Sequence, residues 1–109
     1  MSDIPPAPTV TSIPPPSESL RITAPGLDPI TALLYDLGPG QGRVILECCG
    51  EALAGYWHAM GPKTIRQFIT SCDADYLAGR MIPPDATKRK IAYLRRIVSA
   101  FQTAIRFLP

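Results

Sequence analysis

The sequence predicts an α+β fold, in which a three-stranded antiparallel meander is followed by three short helices or turns and one long C-terminal helix. Two observations lead to this prediction. Up to Cys49 the apolar residues form short runs of strand length, whereas after Gly50 they recur at helical spacing. With 46% hydrophobic and 18% charged residues among 109, the chain can bury one core, which excludes wholesale disorder and a collagen-like repeat.

A proline-rich tail is predicted before the folded domain. Each proline removes a backbone donor and pushes its predecessor toward an extended conformation. We therefore expect residues 1–17 to be a disordered tail and residues 18–109 to form a single α+β domain. The PxxP-like spacing in the tail is more typical of a spacer than of a docking motif. Six of the 13 prolines stand in this segment: Pro5, Pro6, Pro8, Pro14, Pro15 and Pro16.

Three strands are predicted between the tail and Gly50. Residues 19–24 alternate in polarity, as in a half-buried strand. Residues 29–37 also favour a strand, although the Ala-Leu-Leu segment within them leaves a helix possible. Residues 43–49 form a β-branched run, and the glycine-rich loop 38–42 joins these last two runs as a hairpin.

The residues after Gly50 predict helices. The first spans residues 51–60 and ends at Gly61-Pro62. The second begins near residue 63 or 64, and the third spans residues 73–78, capped by Asp73 and stopped at Gly79. The last spans about residues 86–107, with Asp85 as its N-cap. The second helix is expected to bury one apolar face, formed by Ile65, Phe68, Ile69 and Cys72.

The last predicted helix carries a regular apolar stripe. The favoured interpretation is that the stripe covers the chain's own sheet and shorter helices. The other is a seam that pairs with a second copy, although fewer than three heptads are short for a coiled coil. A monomer is therefore favoured over a homodimer. The stripe consists of Ile91, Leu94, Ile97, Val98, Phe101, Ala104, Ile105 and Leu108.

Positive charge is concentrated on the same helix, although the formal net charge of the chain is only +2. A basic face without acids can neutralise nucleic-acid phosphates, which makes nucleic-acid binding the alternative function. The other interpretation is an ordinary solvated face, since no helix-turn-helix, RRM or zinc-finger spacing accompanies it. The candidate nucleic-acid-binding residues are Lys88, Arg89, Lys90, Arg95 and Arg96.

Three cysteines, Cys48, Cys49 and Cys72, are predicted to be reduced thiols, because their number is odd and two are adjacent. With His58 they include the atom types of a Cys3His zinc site. Neighbouring strand residues point to opposite faces, however, so Cys48 and Cys49 cannot easily share an ion. Nothing in the spacing brings Cys72 and His58 together as nucleophile and base. We expect no metal, no cofactor and no catalytic residue.

An aromatic segment lies on the first predicted helix. Its side chains either pack large areas against the sheet or serve as an exposed anchor for a partner protein. The candidate protein-binding residues are Tyr56, Trp57 and Met60.

The central segment has a recognisable series of motifs: G-R-V-I-L-E-C at 42–48, G-E-A at 50–52, Y-W-H-A-M-G at 56–61, T-I at 64–65, Phe68, C-D at 72–73 and D-Y-L-A-G at 75–79. With these residues the chain resembles a family of small proteins encoded in tailed-phage and prophage genomes. The likeness covers roughly residues 27–100, so that the tail lies outside it, and Cys49 stands where an aromatic is expected. The resemblance implies a phage accessory protein and no particular chemistry.

These observations together predict a binding protein. We expect an accessory protein that binds a host or phage macromolecule, most simply a protein, and that performs no catalysis. The chain has no apolar run of about 18 residues and no basic-then-apolar leader, so we expect it in the bacterial cytoplasm and off the membrane.

Overall fold

A four-stranded antiparallel sheet with three helices on one of its faces is the architecture of the chain, which confirms the α+β class. The computed structural model describes residues 4–109. The sheet is a meander in which neighbours along the chain are neighbours in space. The elements are β1 (Glu18–Ile22), β2 (Ile30–Gly38), β3 (Gln41–Cys48), β4 (Glu51–Trp57), α1 (Ile65–Ser71), α2 (Ala74–Met81) and α3 (Lys88–Arg106).

The structure describes the predicted tail from residue 4 onward. Residues 4–16 form no helix or strand, and all of them are exposed except the half-buried Pro16, while the first three residues lie outside the described part. Ser17, the residue before β1, is hydrogen-bonded to the sheet, because its backbone N–H donates to the carbonyl of Leu34 at 2.7 Å. Its hydroxyl also accepts from the backbone N–H of Asp36 at 2.8 Å. Within residues 4–109, no helix combines the length and apolarity needed to cross a membrane.

The predicted first helix over residues 51–60 is wrong, because residues 51–57 are a fourth strand. Cys48 pairs with Glu51, so that only two residues connect β3 to β4. Those two residues, Cys49 and Gly50, have φ angles of 51° and 85°. Two successive residues with positive φ make the tight turn whose twist matches that of a hairpin. The turn reverses the chain and adds β4 to the sheet edge.

The sequence of β4 explains the error. Glu, Ala and Leu at its start favour helices more than strands, and none of its residues is β-branched. Its alternation is nevertheless that of a strand, since Leu53, Gly55 and Trp57 are buried while the residues between them are exposed. Trp57 folds its ring over Gly55, so a small residue stands where the indole needs space.

The second, third and last predicted helices are present, with ends that differ from the prediction. Thr64 and Gln67 form a reciprocal capping box at the start of α1. Asp73 caps α2 as predicted, but α2 continues through Gly79 to Met81 because nothing in the helix requires a positive φ there. The N-cap of α3 is Thr87, whose hydroxyl accepts from the backbone N–H of Lys90 at 3.2 Å, and not Asp85.

The core lies between the helices and one face of the sheet. Helix α3 packs against β1 and β2, α1 against β2 and β3, and α2 against β4. The apolar stripe of α3 is mostly buried in this layer, while Ile91 and Ala104 are half-buried and Leu108 is exposed. The covering interpretation therefore describes most of the stripe, and Leu108 is its exposed member. The buried stripe residues are Leu94, Ile97, Val98, Phe101 and Ile105.

One buried polar side chain ties two helices together. The side-chain amide of Gln102 on α3 donates to the carbonyls of Ile69 at 3.0 Å and Cys72 at 2.6 Å. Both carbonyls lie at the end of α1, where the last acceptors lack the regular helical partner four residues on, although Ile69 also accepts the backbone N–H of Cys72 at 3.3 Å. Gln102 is only 2% exposed, so these bonds replace water that cannot reach the site.

We expect Gly55→Ala to lower the free energy of unfolding by about 1–3 kcal/mol, the usual cost of overpacking a core. A Cβ at Gly55 would lie 2.5 Å from Cη2 of Trp57 and 3.2 Å from Cγ of Met81. Gly79→Ala is the matched control, because nothing lies within 4 Å of its Cβ position. There, better helix propensity should raise the unfolding free energy by about 1 kcal/mol. Urea denaturation measures both, and a neutral Gly55→Ala would contradict the tight fit.

Candidate functional site on the open face of the sheet

The sheet has a second face that no helix covers, and we call it the open face. Strand residues alternate between the two faces, and none of the residues on this side is buried. The strand register arranges them in three rows across the sheet. The rows are Arg21–Thr31–Glu47–Ala52, Ser19–Leu33–Ile45–Ala54 and, across β2 to β4, Tyr35–Arg43–Tyr56.

The middle row is apolar across three strands. Leu33 pairs with Ile45, and Ile45 pairs with Ala54. Leu33 and Ile45 are half-buried by their neighbours, and Ala54 is exposed. A strand with one solvated face normally alternates between apolar and polar residues, but β3 is apolar on both faces through Val44–Leu46. The centre of the open face is therefore more apolar than the solvated face of an ordinary strand.

The third row places an arginine between two tyrosines. The guanidinium carbon of Arg43 lies 5.9 Å from the ring centroid of Tyr56, within the range of a cation–π contact. Tyr56 is 43% exposed, and its ring centroid lies 6.2 Å from that of His58. Arg80 on α2 approaches from the covered side: its guanidinium carbon lies 5.8 Å from the ring centroid of the buried Trp57, and Nη2 donates to the Tyr56 backbone carbonyl at 2.8 Å. One cation therefore stands between two aromatic rings in this row of the open face.

Carboxylates of β1 and β2 point away from the open face. Asp36 accepts the backbone N–H of Ile65 at 2.7 Å, at the start of α1. Glu18 pairs with Arg66 of α1 at 3.3 Å. Among the described residues, Glu47 is the one carboxylate on the open face of the strands. Positive charge therefore exceeds negative charge on this face.

The candidate residues Tyr56, Trp57 and Met60 do not share one surface. Tyr56 is on the open face, whereas Trp57 is 4% exposed and Met60 is 5% exposed. Trp57 packs against Phe68 with ring centroids 5.5 Å apart, and its indole N–H donates to the hydroxyl of Tyr76 at 3.0 Å. The packing interpretation therefore describes Trp57 and Met60, whereas Tyr56 is the exposed member of the three.

The five basic residues of α3 are all exposed; at 3.6 residues per turn four of them share an arc of about 120°, and Lys90 lies on another side of the helix. Lys90 forms an ion pair with Glu51 on β4. Arg95 pairs with Asp75 of α2 at 3.0 Å, and Arg96 donates to the carbonyl of Gly26 at 2.9 Å. Three of the five side chains therefore contact groups of their own chain, and Lys88 and Arg89 complete the set at the start of the helix.

The cysteine side chains occupy three separate environments. Cys48 is buried, donates to the carbonyl of Asp28 at 3.3 Å and lies 3.6 Å from the hydroxyl of Tyr93. The hydrogen bond with Cys48 and burial raise the pKa of Tyr93 to about 12. Cys49 is exposed, and the negative charge of Asp28 together with a hydrogen bond to it raises the pKa of the Cys49 thiol.

Cys72 and His58 have different surroundings. Burial raises the pKa of the Cys72 thiol, against a smaller opposing effect of Lys63. The carbonyl of Cys72 is bound by Gln102, and His58 is exposed beside Tyr56. Nowhere in residues 4–109 do three histidine, cysteine or carboxylate side chains come together in a way that could hold a metal ion.

The comparison with known families gives this surface a biological context. Residues 10–91 match the model of a phage protein family, Phage_phiTE_072. The chain belongs to this phage family. The match spans the whole sheet, α1 and α2, and ends in the first turn of α3. No curated protein and no solved structure matches the chain significantly.

The extent of the match corrects one expectation. The resemblance was expected to exclude the tail, but the match to the phage family begins at residue 10, within the proline-rich segment. Every open-face residue lies inside the matched range. Sequence reasoning did not single out Leu33, Tyr35, Arg43 and Ile45 as surface residues. The signal that could have found them is the unbroken apolar run Val44–Leu46, which is unusual in a strand with a solvated face.

We expect Cys49 to be alkylated more slowly at pH 8 than an unstructured cysteine, and faster as the pH rises. A raised pKa leaves less of the reactive thiolate at a given pH. Asp28→Asn removes the largest cause of the shift and should speed the reaction at pH 8. Peptide-level mass spectrometry after iodoacetamide treatment measures the rates. Asp85→Asn, which removes an exposed carboxylate just before α3, should change nothing, and fast labelling of the unmodified chain at pH 7 would contradict the assignment.

Proposed function

We propose that this member of the phage family is a small binding module that acts in the host cytoplasm through the open face of its sheet, without catalysis. The observation that carries the proposal is the apolar row of Leu33, Ile45 and Ala54 on a face without helices. Apolar surface gains about 25 cal/mol for each Å² that a partner removes from water. Leu33 and Ile45 are the residues of this row that gain most from being covered.

The surroundings of the apolar row also support binding. Interfaces combine an apolar centre with a polar rim, and they are enriched in tyrosine and arginine. Here Tyr35, Arg43 and Tyr56 flank the row on one side, and Thr31 and Glu47 flank it on the other.

The chemistry of the cysteines supports binding over thiol catalysis. A nucleophilic cysteine has a lowered pKa, which supplies thiolate at neutral pH. Cys49 and Cys72 have raised pKa values instead, and Cys48 is buried with its sulfur directed at Asp28 and Tyr93.

The basic residues of α3 give weaker support to a binding surface on the opposite side of the molecule. Lys90, Arg95 and Arg96 contact Glu51, Asp75 and the Gly26 carbonyl. A ligand on α3 would compete with these contacts. The open face has no comparable competition, so we place the binding surface there.

Site-specific photo-crosslinking in infected bacterial cells tests this proposal. Benzoylphenylalanine at Ala54 puts the reactive group in the centre of the open face, and the same residue at Thr103 puts it on the exposed side of α3. We expect discrete adducts from position 54 and background from position 103. Digestion with nuclease or protease then shows which class of macromolecule is attached. Adducts from position 103 with none from position 54 would contradict the proposal.

A further inference from the structure

We propose that the open face binds single-stranded nucleic acid, with Tyr35, Arg43 and Tyr56 as the platform on which bases stack. The inference rests on the proposed function, because it names the occupant of the same face. Its basis is the juxtaposition of two tyrosines and an arginine in one row of the open face.

Stacking is the first step of the argument. Tyr35, Arg43 and Tyr56 lie on three adjacent strands, so the two tyrosines are two strand spacings, or about 10 Å, apart. Each base can stack on an aromatic ring or on a guanidinium plane. A row of this kind therefore offers places for about two bases, as four-stranded RNA-binding sheets do. Leu33 and Ile45 extend the platform with apolar surface.

Charge is the second step. Arg43 lies in the stacking row, with its guanidinium carbon 5.9 Å from the ring centroid of Tyr56. Glu47 is four residues from Arg43 along β3, about 13 Å at 3.3 Å per residue. The corner that contains the aromatic rings is therefore the cationic part of the open face, which suits a ligand with both bases and phosphates.

The shape of the open face favours a single-stranded over a double-stranded nucleic acid. Proteins read duplex DNA mostly with a helix or a narrow ribbon that enters the major groove. The open face is the broad side of a four-stranded sheet, and stacking on its tyrosines requires bases that are not paired. A single-stranded nucleic acid can lie on such a broad surface, and its bases are not paired.

A second copy of the chain fits this surface less well. Four strand spacings by the mean strand length of about seven residues give the open face a flat area of about 450 Å². A stable protein–protein interface buries about 800 Å² on each partner. Stacked bases need far less area, because each one gains its affinity from a single ring.

Fluorescence anisotropy with the full chain tests the proposal. The probes are labelled single-stranded DNA and RNA of about 12 nucleotides, a length within the site sizes of single-strand binders, and a duplex of the same sequence. We expect binding to at least one single strand at low salt, and weaker binding to the duplex. The two single strands distinguish DNA from RNA as the source of the shared chemistry.

Substitutions in the stacking row test whether the nucleic acid binds there. Tyr56→Ala should weaken binding by about tenfold, within the range for loss of one stacked base. Arg43→Gln should weaken binding and reduce the slope of log affinity against log salt by about 0.7, the value for one phosphate contact on a single strand. Tyr56→Leu keeps the bulk without the flat ring, so it separates loss of stacking from loss of folding, and circular dichroism confirms the fold of each variant.

Matched controls carry the same chemical changes on the helix side. Phe107→Ala removes an aromatic ring that is 84% exposed beyond α3, and Arg89→Gln removes an exposed cation. Both should leave affinity unchanged. Equal losses of affinity from Arg89→Gln and Arg43→Gln would show that binding depends on the charge of the whole surface and not on this row, and would overturn the proposal.

Three further results would overturn the proposal without touching the proposed function. The first is no binding of either single strand at low salt, combined with protein adducts at position 54. The second is equal affinity for the duplex. The third is a dimer in sedimentation that Ala54→Arg dissociates, since the open face would then be a contact between copies of the chain.

Discussion

The coverage of the sheet on one side is the constraint on which the rest of this structure depends. All three helices pack in a single layer, with α3 over β1 and β2, α1 over β2 and β3, and α2 over β4. Helix α3 is about 28 Å long at 1.5 Å per residue and supplies the largest apolar surface of that layer. Because every helix lies on the same side, the apolar residues that β2 and β3 carry on the other side remain uncovered within the chain.

The polar contacts that hold the helix layer also determine the charge of the open face. Asp36 binds the N-terminus of α1, and Glu18 pairs with Arg66 of the same helix. Both carboxylates are thereby drawn to the covered side of the sheet. Arg43 has no such role in the layer, and it remains beside Tyr56 on the open side. A cationic and aromatic corner follows from the way in which α1 is anchored.

Much of this fold could be predicted from the sequence, because periodicity reports burial on one face. The α+β class, the first three strands, the Asp73 cap and the buried stripe of α3 all follow from local patterns. The fourth strand could not be predicted in the same way. Residues 51–54 have helical propensity, and their conformation depends on the positive φ angles of Cys49 and Gly50. A cysteine rarely adopts that conformation, so its turn carries no clear sequence signal.

The candidate site was less accessible to sequence reasoning than the fold. Tyr56 is exposed, but sequence reasoning grouped it with Trp57 and Met60 on a helix where the structure has a strand. In a strand, Tyr56 and Trp57 point to opposite faces. Tyr35 and Arg43 join Tyr56 only through the register of β2, β3 and β4, and pairing between strands is a property of the whole sheet.

The most direct test of this account is an NMR titration of the ¹⁵N-labelled chain with a single-stranded oligonucleotide. The account predicts that the amide shifts change in β2, β3 and β4, around Tyr35, Arg43 and Tyr56, while those of α3 stay in place. Changes clustered at Lys88, Arg89 and Arg95, with none on the strands, would contradict it.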